Sequence, residues 1–62
     1  MSDHADLSSI ATQLDELAVR IAAIASRHDG TDREDVTVRL YELERSLASA
    51  GRRVRSTARL LD

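Results

Sequence analysis

Nine arginines and no lysine supply the cationic side chains of this sequence, and Arg52, Arg53, Arg55 and Arg59 crowd into its last segment. Arg45, Arg52 and Arg59 are seven residues apart, so on a helix they share one stripe, flanked by Arg55. The planar guanidinium fork matches phosphate and carboxylate oxygens. Such a stripe could hold an RNA or DNA backbone, or an acidic protein. Against a nucleic-acid partner stand the net charge of −2 and a single aromatic residue, Tyr41. The first denies the chain an overall basic field; the second leaves no stacking platform among the arginines. The alternative is a solvated face that neutralises the acidic first quarter, Asp3, Asp6, Asp15 and Glu16.

No other grouping promises chemistry. His4 and His28 fall at opposite ends of the first helical pattern, and Asp15 and Glu16, being adjacent, point to different parts of a helix surface. No Glu-x-x-His motif occurs, so the inward di-iron arrangement of helical bundles is absent. Without cysteine there is neither a disulfide nor a thiolate zinc site. Two helices alone form no concave pocket that excludes water. The expectation is a non-enzymatic chain with no cofactor and no metal, and His28 is expected to serve as a helix end beside a turn.

The elements that position these residues are organised around His28-Asp29-Gly30-Thr31. Gly30 can take a positive φ just past a helix end. Thr31 with Glu34 has the spacing of a capping box. Asp32, Glu34 and Asp35 place negative charge on a first helical turn, and Arg27 and His28 place cations on a last one, as the helix dipole favours. Before the turn, Leu7, Ile10, Leu14, Leu17, Ile21 and Ile24 recur at steps of three and four; after it Val36, Leu40, Leu43, Leu47, Ala50 and Val54 do the same. That period is the seam of a coiled coil. Folding the chain at Gly30 brings Ile24 opposite Val36, Ile21 opposite Leu40, Leu17 opposite Leu43, Leu14 opposite Leu47, Ile10 opposite Ala50 and Leu7 opposite Val54.

The sequence therefore predicts an all-α fold, an antiparallel two-helix hairpin with a coiled-coil-like seam. One domain spans 1–62, with helix 1 over about 5–28, the turn at 28–31 and helix 2 over about 32–60. Ser2, Asp3 and Asp6 could each cap helix 1. Gly51 could interrupt helix 2, at about 1 kcal/mol relative to Ala, but Val54, Thr57 and Leu61 keep the phase through it, which favours continuity. In this hairpin the acidic and basic ends lie side by side, with Asp6 near Arg53.

Sixty-two residues are few for a self-sufficient core, and such chains usually oligomerise when they lack disulfides and metals. One flank of the predicted seam is polar, with Asp6, Gln13, Arg20 and Arg27 facing Arg39, Ser46, Arg53 and Leu60. The other is made of small residues, Ala11, Ala18 and Ala25 facing Thr37, Glu44, Gly51 and Ala58. The expected assembly is a homodimeric four-helix bundle packed through Ala11, Ala18, Ala25, Gly51 and Ala58, in which Glu44 must reach the rim or find a cation. In size and layout the chain resembles the repressor-of-primer type of hairpin, RNA-binding proteins that dimerise into four-helix bundles. The resemblance is one of architecture, with no RNA-contacting motif to carry over.

The acidic N-terminus lacks the basic and apolar regions expected of a secretory leader. The most apolar run, Leu17 to Ala25, contains Arg20 and is too short for a membrane span. A cytoplasmic location is expected. The favoured function is a small protein–protein interaction or self-assembly module, either on its own or as an adaptor for a larger protein. The alternative is a nucleic-acid-binding regulator using Arg45, Arg52, Arg55 and Arg59.

Overall fold

In the computed structural model, which describes residues 2–61, two 26-residue helices, α1 (Asp3–His28) and α2 (Glu34–Arg59), pack antiparallel. Met1 and Asp62, the ends of the expected 1–62 domain, lie outside the described residues. By its Cα atoms the molecule is a slab 48 Å long, 15 Å wide and 9 Å thick, one layer of helices with two broad faces.

Ser2 caps α1: its backbone is extended and its hydroxyl accepts from the Ala5 amide at 3.1 Å. The helix therefore starts at Asp3, ahead of the expected start near 5. Asp3 and Asp6 place negative charge on the first turn, where the helix dipole favours it. At the other end Gly30 adopts a φ of 77°, the left-handed region its missing Cβ permits.

The capping box forms in displaced form. The Thr31 hydroxyl donates to the His28 carbonyl at 2.6 Å and accepts from the Arg33 amide at 3.1 Å, one residue earlier than the capping box requires. The Glu34 carboxylate reaches back to the Gly30 amide at 3.1 Å. Helix α2 therefore begins at Glu34, about two residues later than its expected start near 32, and Arg33 occupies its N-cap without a side-chain capping hydrogen bond. The Arg33 side chain donates instead to Asp35 at 3.3 Å, which, with the Val36 amide, holds the Asp35 carboxyl below its ordinary pKa. Any stability from that contact is present above the carboxylate range and is lost as pH falls through it.

Helix α2 runs unbroken through Gly51. A Cβ built there would stand 3.5 Å from the Ala11 carbonyl oxygen and 2.8 Å from Asp15 Oδ1. The glycine thus marks close approach of the two helices rather than a break. His4 Nδ1 lies 2.8 Å from the Ala58 carbonyl oxygen, which ties the start of α1 to the end of α2.

The centre of the helix–helix contact is the small-residue line. Ala11 and Ala25 are fully buried, Ala58 and Ala18 nearly so, and Thr37 and Gly51 complete the row. Among the described residues no large side chain is fully buried. The axis of contact is therefore rotated relative to the predicted seam. The physical reason lies in width: each helix carries an apolar stripe broader than two heptad positions, which is wider than one packed helix covers. The chain's own second helix takes the small border, where backbones can come close, and the branched side chains are left on one broad face.

Candidate interaction surface

Ile10 remains 43% exposed, Leu17 42% and Leu43 53%, although the heptad pattern places all three in the hairpin seam. Their companions Leu7, Leu14, Ile21, Ile24, Val36, Leu40, Leu47, Ala50 and Val54 are only half-buried. In an antiparallel pair, the same side of each stripe relative to the small-residue line falls on the same face of the slab. One face is accordingly apolar from end to end. A groove at one end is lined by Leu7, Ala50, Val54 and Thr57, with Arg53 at its edge. This keeps the expected pairing of Leu7 with Val54. Another groove is lined by Leu17, Ile21, Ile24 and Leu47, with Arg20 at its edge. Leu47, expected opposite Leu14, lines this groove beside Leu17.

The expected dimer surface is corrected by the same observation. Ala11, Ala18, Ala25, Gly51 and Ala58 are covered by the chain itself and offer nothing to a second molecule. Glu44, the charge that had no place in a small-residue interface, is half-buried at the margin of this contact. It lines a depression on the opposite, more polar face with Asp15, Val19, Ala22 and Ala48.

The arginines divide. Arg55 closes on Asp15 at 2.7 Å, with both side chains less than half exposed. Asp6 and Arg53, expected as neighbours, sit on opposite outer edges of the slab and do not pair. Arg45, Arg52 and Arg59 are exposed, and Arg59 donates to Ser56 at 3.3 Å. Replacing Arg52 and Arg59 together by alanine is expected to shift the thermal midpoint by no more than a few degrees, since exposed charges contribute about 0–1 kcal/mol each; a circular-dichroism melt checks it.

The heptad pattern picks out the apolar residues of this face but assigns them to the interior. It also puts the outward edges, Asp6, Gln13, Arg20 and Arg27 on α1 and Arg39, Ser46 and Arg53 on α2, on a flank inside the hairpin. Those residues are exposed and border the apolar face from outside. The signal that could have placed them is the alanine line itself, since two helices come closest where side chains are smallest.

No helix among the described residues is long and apolar enough to cross a membrane. No family model matches the chain, and no curated protein or solved structure is significantly similar to it.

Proposed function

We propose that this chain is a non-enzymatic protein–protein interaction module whose apolar face docks against helices of a partner, completing a four-helix bundle. One observation carries the reading. Among the described residues the fully covered positions of the hairpin are Ala, Gly and Thr, while every Leu and Ile keeps part of its side chain open to solvent. Contiguous exposed apolar surface of this kind marks an interaction site.

The area agrees. The chain exposes 4601 Å², whereas a compact monomer of this mass exposes about 4,000 Å². The excess, about 600 Å², approaches the roughly 800 Å² that each partner buries in a standard interface. A second copy of the chain presents the same surface, which makes a homodimer the simplest such bundle.

The test is thermal unfolding at rising protein concentration. Association stabilises the folded form by mass action, so the midpoint should climb steadily with concentration. A midpoint independent of concentration, with monomer mass throughout, would refute self-assembly.

A second reading, nucleic-acid binding, is supported only by the exposed Arg45-Arg52-Arg59 stripe. It requires retardation of RNA or DNA at low salt that fades steeply as salt rises, and loss of that retardation in the Arg52→Ala, Arg59→Ala variant.

A further inference from the structure

We infer that the preferred occupant of the apolar face is a partner protein whose helices carry carboxylates along the borders of their own apolar stripe, recognised by Arg20, Arg27 and Arg39. The inference rests on the docking role proposed for that face and adds the chemistry of what docks there.

Charge is sorted by face. The net charge of the chain is −2, yet the apolar face is bordered by four exposed arginines, Arg20 and Arg27 on α1 and Arg39 and Arg53 on α2. Arg20 edges the groove of Leu17, Ile21, Ile24 and Leu47, and Arg53 that of Leu7, Ala50, Val54 and Thr57. Heptad steps from these two place Arg27 and Arg39 on the same rims. The carboxylates on this side, Asp3 and Asp6, stand on the first turn of α1, at the open end of the hairpin with Arg53.

In the half nearer the turn the only charged rim residues are arginines. Ala11 stands level with Gly51, since a Cβ on Gly51 would meet the Ala11 carbonyl. Counted from that level, Arg39 lies at a height between Arg20 and Arg27 on the opposite rim, so the three border about 10 Å of the slab's length. Between them lie Ile21, Ile24, Val36, Leu40 and Leu43. Asp35 and Glu42 share a depression with Val38 and Arg39 on the outer side of α2, and by spacing Glu16 falls on the outer side of α1. Asp29 and Asp32 belong to the turn, past the last apolar layer. Among the described residues the salt bridges join Arg33 to Asp35 and Arg55 to Asp15, and none engages a rim arginine.

An apolar face with cationic rims is complemented by an apolar face with anionic rims, and charges at such border positions set partner choice. A second copy meets this face less well. Laid with its α2 on α1, it sets Arg39 between Arg20 and Arg27; laid with α2 on α2, it sets Arg39 near Arg53. A copy can cover the apolar surface, but a carboxylate-rimmed partner does so without that repulsion and displaces it. An anionic bilayer offers the same charge. The face is grooved between two helices, however, and lacks the bulky aromatic residues common in helices that lie on membranes. The one aromatic residue, Tyr41, falls in line with Ala48 and Arg55 toward the opposite face.

The test uses two designed helical hairpins with the same leucine face, one with glutamate at every rim position and one with arginine. Titrated against the whole chain at about 50 mM salt, the glutamate-rimmed hairpin should bind at least about tenfold more tightly, and the advantage should shrink as salt screens the rims. Arg20→Glu combined with Arg39→Glu should abolish the advantage. Both positions are exposed, so the variant should fold, which far-ultraviolet circular dichroism checks; if it does not fold, the salt dependence of the wild type decides. Equal affinity for the two hairpins at low salt would overturn recognition by the arginines and leave the docking face in place. Failure of both to bind would overturn the docking face as well. Phosphatidylglycerol vesicles that capture the chain while the glutamate-rimmed hairpin does not would overturn the protein occupant in favour of a membrane surface.

Discussion

Replacing Gly51 by leucine is expected to unfold the hairpin, or to lower its midpoint by well over ten degrees. The first atom added already stands 2.8 Å from Asp15 Oδ1 and 3.5 Å from the Ala11 carbonyl. A leucine must drive its branched end into the backbone of α1. Overpacking of this kind costs about 1–3 kcal/mol in an ordinary core, and the cost falls at the upper end where the neighbour is backbone and cannot move aside. A domain this small has only a few kcal/mol to lose. Gly51→Ala separates the causes. Its Cβ meets mainly the mobile Asp15 carboxylate, which must swing away from Arg55. The loss of that partly exposed pair is offset by the helix propensity gained, about 1 kcal/mol. The alanine variant should therefore melt within a few degrees of wild type. A leucine variant as stable as wild type would show that α1 and α2 do not meet at Gly51.

Much of this fold was legible in the residues. The turn at Gly30, the antiparallel pair, the continuity of α2 through Gly51 and the layer of Leu7 with Val54 follow from heptad phase and from the one position that tolerates positive φ. The rotation of the contact was not legible in the same way. A stripe read as two apolar positions points Leu and Ile inward, because periodicity records which residues are apolar and not which of two neighbours each one touches. The alanines at 11, 18 and 25 held the answer. Small residues repeated every seven positions mark where two backbones come closest, and their own chain supplies the nearest backbone. The turn shows a second limit. Thr31 and Glu34 have the spacing of a capping box, but the hydroxyl is engaged by His28 and Arg33, and the carboxylate by Gly30, so α2 starts later than the motif indicates.

The second large effect is expected on the exposed face. Leu17→Ser combined with Leu43→Ser should abolish assembly. Both leucines are about half exposed in the single chain, so the hairpin alone loses little of its own contact. In a dimer they lie under the copy, and each truncation to a polar residue forfeits about 2 kcal/mol of apolar burial. Four such sites per dimer give about 8 kcal/mol, the gap between nanomolar and millimolar dissociation. Sedimentation equilibrium should find the variant monomeric wherever the wild type is a dimer. An unchanged dimer mass would place the interface elsewhere on the slab.

Some apolar residues are covered by the chain itself and others stay open to solvent in the single hairpin, and methyl NMR with a soluble paramagnetic probe distinguishes them residue by residue. Across a dilution series, the methyls of Ala11, Ala18, Ala25 and Ala58 should stay shielded at every concentration at which the helices persist. Those of Ile10, Leu17 and Leu43 should be shielded when the protein is concentrated and bleached when it is dilute. The opposite pattern, leucine methyls protected throughout and alanine methyls exposed on dilution, would contradict this division and return Leu17 and Leu43 to the interior of the hairpin.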